Sequence, residues 1–362
     1  MTRISAEGIS VGVTPACGML EGLTIERGGR RIQPLHRAPW VGVAGEVPHD
    51  AAPHLALLEG DFFCAPFSRT DDPGVPAHGW PANGSWRELV STTAADGSAT
   101  ARFELAEKVH GATVRKEITL RPGHPVVYQR HLLSGGSGAI PLAHHAMIHV
   151  PGGARLSFSP KDFGATPETP QETDPARGTS LIGRGKRFPS LAEVPVADGS
   201  TRDMRSYPWA GGQEDFLSLI DPKDARVGWS AAVAAKDGFV FFAVKDAQML
   251  TQTSLWMSNG GRYYAPWSSR HLAVLGIEES TTHFGDGRLA STTKNDLTRE
   301  GYRTAIDLGG EVVIRYALGA IPLPEGWTEI VDVRVGDGTL TLTDKGGGSE
   351  TVPFDTAFLP GG

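Results

Sequence analysis

Short stretches in which apolar and polar positions alternate recur along the chain. Thr113–Leu120 reads T-V-R-K-E-I-T-L, which sets Val114, Ile118 and Leu120 on one face and polar side chains on the other. A period of two is the mark of a half-buried strand, because successive side chains leave opposite faces of the sheet. His110-Gly111 just before it is a turn signal, so Ala101–Leu105 and Thr113–Leu120 are expected to pair as a hairpin. Val126–Leu133 reads as a further strand, closed by the Gly-Ser turn at Ser134–Gly138. Gly238–Val244 is apolar throughout, as in a buried strand. Asp332–Val335 and Thr339–Thr343 flank Gly336-Asp337-Gly338, a second hairpin signal. Helical pattern is sparse. The best stretch is Ser291–Glu300, with Ser or Thr as a cap and Gly301 as a stop. Pro151–Gly212, rich in Pro, Gly, Asp and Thr, is expected to form long loops with a few short strands that roof one end of a sheet stack. The class is all-β, in large antiparallel sheets with few short helices.

Composition sharpens this picture. The 40% hydrophobic and 21% charged content belongs to a globular chain, and 46 glycines with 26 prolines favour turns over long helices. A length of 362 residues suggests two domains, although large β sandwiches run past 200 residues as one unit. Composition shifts after Pro322, where Pro324-Glu325-Gly326 offers a linker. The chain is therefore read as a main domain over residues 1–322 and a small β extension over residues 323–362, packed on the main domain. A net charge of −7 argues against a general nucleic-acid binder. No apolar run approaches the roughly 18 residues of a membrane span, and Met1–Val13 has one basic residue and no apolar signal core. Two cysteines, Cys17 and Cys64, suit reduced thiols in a cytoplasm better than a disulfide scaffold.

Three segments could carry chemistry. The first, Asp61–Arg87, packs aromatics, Arg69 and His78 into a Gly/Pro-rich stretch that contains H-G-W-P-A-N. It could present Arg69 and His78 to a polyhydroxylated ligand, with Trp80 and Trp86 offering apolar faces. Aromatic packing under a loop is the competing reading. The second, Leu142–His149, places His145, Met147 and His149 on one strand face and His144 and Ile148 on the other. One imidazole could act as a general acid, since its ordinary pKa near 6.5 lets it hold or release a proton. A zinc site and simple packing compete with this, and the spacing is not the helical H-E-x-x-H pattern. The third runs from Ser254 through Trp256, Arg262 and Trp267 to Gly276-Ile-Glu278-Glu279. A glutamate emerging from an apolar strand can be desolvated and so become a useful base; a solvated strand-end carboxylate is the alternative. Glu279 should point away from Glu278 and be dispensable. Asn83-Gly-Ser85 has the form of a glycosylation sequon.

Taken in order, these segments resemble the aldose 1-epimerase (galactose mutarotase-like) superfamily over residues 10–320. Phe62–Thr70 resembles its Phe-Pro…Asn-Arg stretch, with Ser68-Arg69 where Asn-Arg is usual, and His78-Gly79 resembles the His-Gly that follows. Leu142–Val150 resembles the strand bearing the acid histidine, which places His145 on that histidine and His144 where an asparagine is usual. Gln213-Glu-Asp215-Phe216 resembles the aspartate segment that contacts sugar hydroxyls, and Gly276-Ile-Glu278 resembles the strand of the catalytic glutamate. The resemblance implies a β supersandwich and interconversion of the α and β anomers of an aldose without a cofactor or metal. His145 would be the acid and Glu278 the base, meeting across a groove from opposite edges of one pyranose. Arg69, His78, Asp215, His144, Trp80, Trp256 and Trp267 would bind the sugar. Implied partners are a small-molecule sugar, no nucleic acid and no membrane, in a monomer or homodimer. The fold also serves non-catalytic sugar-binding modules. An isomerase or lyase for an acidic sugar is a further alternative, with Arg69, Arg87, Arg262 and Arg270 as a carboxylate patch. The H-G-W-P-A-N stretch has Ala82 where phosphosugar members carry arginine.

Overall fold

Alternation around Thr113–Leu120 is realised as a strand whose buried residues are Val114, Lys116, Ile118 and Leu120. It pairs antiparallel with Ala99–Leu105, and the turn between them places His110 and Gly111 at positive φ, 47° and 83°. The computed structural model describes residues 1–360. Lys116 is the polar exception on this face. Its ammonium lies 5.0 Å over the Trp86 ring and donates to the Gly18 carbonyl, and burial lowers its pKa to about 8.

Two large antiparallel sheets form a stack. The nine-stranded sheet runs Ser206–Tyr207, Ala154–Phe158, Val227–Ala234, Phe239–Asp246, Val312–Pro322, Val126–Ser134, Thr113–Leu120, Ala99–Leu105 and Trp86–Thr93. The eight-stranded sheet runs Arg187–Phe188, Phe163–Ala165, Gln213–Ile220, Gln252–Asn259, Val274–Thr281, Leu142–His144 and Phe63–Cys64, and Ala146–His149 also pairs with Val274–Thr281. Side chains from both sheets share one core, with Phe103, Ile118, Phe241 and Leu318 from the first and Leu217, Leu255, Met257 and Ile277 from the second.

The apolar run that begins at Phe239 is buried on both faces. Phe239, Phe241 and Ala243 enter the core between the sheets. Val240, Phe242 and Val244 meet Trp327, Ile330, Leu340, Leu342 and Val352 on the far side. Those last residues belong to or precede a three-stranded sheet, Ile330–Gly336, Thr339–Asp344 and Ser349–Pro353, whose first turn places Asp337 and Gly338 at positive φ. Loss of period two in this run therefore has a packing cause: a second layer dries the outer face.

The helix expected over Ser291–Glu300 divides into two, Arg288–Thr292 and Asp296–Arg299. Thr292 and Thr293 turn their hydroxyls back to the carbonyls of Arg288 and Leu289. Asn295 then opens a new helix with a reciprocal capping box to Thr298. Side chains that bond the local backbone offer an alternative to helix continuation, and here that alternative prevails.

Glu279 points away from Glu278, as alternation predicts, and that direction leads into the space between the sheets. Its carboxylate lies 2.6 Å from Lys245 Nζ and accepts from Thr253 and Ser230. Lys245 also meets Asp221 at 2.8 Å, and Asp221 meets Lys161. Removing one member leaves a buried charge uncompensated, which typically costs about 3–5 kcal/mol. Glu279→Gln is expected to lower the urea-unfolding free energy by about 3 kcal/mol; a loss below about 0.5 kcal/mol would mean that the network is not held as described.

Candidate active site

Strand parity builds the site on the outer face of the eight-stranded sheet. Ala143 pairs with Ser280 and Ala146 with Ile277, so His145 and Glu278 fall opposite each other in the same register. On the same face Trp256 pairs with both Gly276 and Phe216. Gly276 leaves room there. A Cβ at this position would lie 2.7 Å from Glu278 Oε1 and 3.1 Å from Trp256 Cβ, so a side chain would displace the carboxylate.

His145 Nε2 and Glu278 Oε1 are 3.0 Å apart, and both side chains are almost fully buried. The sequence expectation of two groups facing each other across a groove is corrected: they are cross-strand neighbours in direct contact. The His145 ring stacks on Phe62 at 4.5 Å and meets His78 and Trp256 edge-on at 5.2 and 5.5 Å. Burial pushes the Glu278 carboxyl well above the usual carboxylate range and lowers the His145 pKa to about 3. Both shifts have the same meaning: two separate charges are disfavoured, and the pair holds one proton between them.

The cleft is lined by His145, Glu278, His78, Trp256 and Trp267, together with His54, Leu55, Leu58, Phe62, Ser68, Gln171, Phe216 and Arg262. Five of the nine residues expected at the site therefore converge. His78 is half-buried, with Nδ1 3.3 Å from Cys64 Sγ, and desolvation lowers its pKa well below the ordinary value. His54 has Nδ1 2.9 Å from Asn83 Oδ1, while Asn83 donates to the carbonyls of Ala77 and Gly79. The buried, fully engaged Asn83 is a structural residue and not an exposed sequon.

The other four sit elsewhere, each for an identifiable reason. His144 faces the core with Glu279's strand face; it is fully buried, Nδ1 lies 3.1 Å from Asp61 Oδ2, and its ring packs 4.4 Å from Tyr316. Asp215 pairs with Met257 on the core face. Its Oδ1 accepts from Ser180 Oγ and from the backbone N–H groups of Leu181 and Ile182, which ties down the long loop and not a ligand. Its neighbour Glu214 shares a strand face with Phe216 and accepts from the Trp256 indole and the Ser258 hydroxyl. Arg69 is exposed and reaches the Pro170 carbonyl at 3.4 Å. Trp80 lies in the short helix Gly79–Asn83 and packs on the inter-sheet core.

The four-arginine patch does not assemble. Arg87 pairs with Glu104, Arg270 pairs with Glu46, and only Arg262 reaches the cleft. Nor do the three histidines of Leu142–His149 converge: His144 is in the core, His145 is in the cleft, and His149 is exposed 5.5 Å from His36. Sequence reasoning passed over His54, Gln171 and Phe216. Parity with Trp256 could have found Phe216. His54 lies in the single 3-10 turn Pro53–Leu57, too short for a periodic signal, and Gln171 lies in irregular chain.

No protein-family model matches the chain, and no curated protein sequence matches it. Solved structures do. An aldose 1-epimerase candidate from Klebsiella pneumoniae is 15% identical with a TM-score of 0.57, covering 87% of this chain and 77% of that one. A galactose mutarotase related enzyme from Lactobacillus acidophilus is 11% identical with a TM-score of 0.54, covering 90% and 98%. An aldose epimerase homologue from C. elegans is 13% identical with a TM-score of 0.54, covering 89% and 98%. At such identities the likeness concerns backbone architecture, and the chain has the galactose mutarotase-like β fold.

Proposed function

We propose that the cleft binds an aldose or aldose derivative and interconverts its α and β anomers. The observation that carries this reading is the His145–Glu278 contact at 3.0 Å on the wall of a cleft lined by aromatic and polar side chains. Ring opening needs a proton taken from the anomeric hydroxyl and one given to the ring oxygen. In the reactive form the pair is Glu278 carboxylate and His145 imidazolium. Glu278 takes the hydroxyl proton, His145 Nε2 protonates the ring oxygen, the C1–O5 bond breaks and an open-chain aldehyde forms. The pair is then Glu278 carboxylic acid and neutral His145, with the same single proton and the same net charge. After rotation about C1–C2 the aldehyde is attacked from its other face and the two transfers reverse. A pair that shares one proton serves both ends of this cycle, and reversal of the two transfers restores it for the next turnover.

Because the two groups are neighbours, the sugar would lie against both from one side, with its ring C–H groups on Trp256 or Trp267. Polarimetry or exchange NMR on freshly dissolved sugars tests the reading. Acceleration of at least one aldose in a broad panel is expected, and none at all would remove the enzyme reading. Gly276→Ala is expected to lower the catalysed rate by about tenfold or more through displacement of the Glu278 carboxylate. An unchanged rate would place that carboxylate outside the reaction.

A further inference from the structure

Among the side chains that line the cleft, those of His54, His78 and His145 are held neutral by burial, and burial likewise disfavours the Glu278 carboxylate. Among the described residues that line the cleft, Arg262 supplies the one guanidinium. Its guanidinium is anchored over Trp267 at 4.6 Å and lies 5.9 Å from the Trp256 ring. Its donors are poorly used. Nε is buried without a partner, Nη2 reaches Gln171 Oε1 at 3.4 Å, and Nη1 lies 3.4 Å from Glu214 Oε1. Glu214 also accepts from Trp256 and Ser258, and together with Arg262 these bonds oppose the rise that burial gives its carboxyl.

Resting on the reading of the cleft as the carbohydrate site, we propose that Arg262 is its anion-recognising group and that the substrate is an aldose derivative carrying one carboxylate, a uronate. A guanidinium fork matches a carboxylate geometrically, and a charge-assisted bond is stronger in a water-poor cleft. A single arginine with Glu214 behind it suits a monoanion; a phosphate dianion would meet the same cation with a carboxylate at its back. Of the four arginines expected to form a carboxylate patch, this leaves Arg262, on the loop after Gln252–Asn259, to act alone.

Calorimetry on the full chain with D-glucuronate and D-galacturonate against D-glucose and D-galactose tests the proposal. Each uronate is expected to bind about tenfold or more tightly than the neutral sugar of the same ring stereochemistry. Arg262→Gln should abolish that advantage and Arg262→Lys should keep part of it. Glu214→Gln, which preserves an oxygen acceptor but removes the competing charge, should increase the advantage; this arm decides the matter even if the Arg262 variants fold poorly. Equal or weaker uronate binding, no binding of either sugar, an advantage that survives Arg262→Gln, or one that shrinks in Glu214→Gln would overturn the proposal. Polarimetry on the same sugars separates it from the reaction assigned above. Arg262-dependent uronate binding without catalysed mutarotation removes the anomer chemistry alone. Catalysed mutarotation of neutral aldoses without a uronate preference removes the carboxylate alone.

Discussion

Glu278→Gln is expected to lower the proposed anomer interconversion by about 10²–10⁴-fold, and His145→Ala to do the same, when initial rates are followed by polarimetry. Glutamine keeps the shape and one acceptor of Glu278 but cannot take the anomeric proton, and alanine removes the group that protonates the ring oxygen. The two side chains lie 3.0 Å apart, and in the proposed cycle they share a single proton, so they should act as a unit. The double variant should lose little beyond the more damaging single one. Sugar affinity measured by calorimetry should change far less than the rate in Glu278→Gln. Arg87→Ala, on the exposed edge strand beside Glu104, should keep the full rate. A Glu278→Gln protein with wild-type turnover would show that the carboxylate is a packing residue and that the cleft binds without reacting.

Acid unfolding has the second large expected effect. Burial lowers the pKa of His36, His54, His78, His131, His145 and His271 below the ordinary 6.5. The unfolded chain therefore binds more protons at these positions than the folded one, and stability falls as pH drops below 6.5. Each proton is worth about 1.4 kcal/mol per pH unit. The buried carboxyls of Glu278, Glu214 and Asp215 are raised by burial and act in the opposite sense, with smaller help from half-buried Glu59 and Asp246. Between about pH 6.5 and 4.5 the histidines outnumber the opposing carboxyls, so the net slope still lowers stability as pH falls. Below about pH 4.5 the unfolded carboxyls take up protons too, the offset ends and the slope steepens. With a total stability of about 5–15 kcal/mol, unfolding should be complete before pH 3 is reached. Tryptophan fluorescence against pH, with urea melts at pH 7, 6 and 5, checks this. A flat stability from pH 7 to 4 would mean that water reaches these imidazoles.

Most of the fold and part of the site were legible in the sequence, because both rest on the same period. Alternation placed His145 and Glu278 on one face and His144 and Glu279 on the other, and the sheet obeys it. The same rule, applied strictly, would have favoured Glu214 over Asp215, since Glu214 shares its face with Phe216; the resemblance to a known segment pointed one residue away. Arg69 and Arg262 show the limit. Both lie in irregular chain, where no period says which side chain turns inward, and the loop that carries Pro170 and Gln171 leaves Arg69 outside while Arg262 lies within. His54 enters the cleft through a bond to Asn83, a residue 29 positions away, which no local pattern encodes.

By itself the sequence determined the strands, the hairpin turns at His110-Gly111 and Asp337-Gly338, and the face on which each strand residue sits. These follow from local sterics and from a periodic need to bury apolar area. Tertiary structure alone decided which polar residues on those faces became chemistry and which became scaffold. Two glutamates adjacent in sequence, 278 and 279, were separated in this way: one meets an imidazole at the edge of a cleft, the other meets a lysine between two sheets. The physical reason is that desolvation and pairing depend on what the opposite layer brings to the contact, and that layer comes from distant parts of the chain.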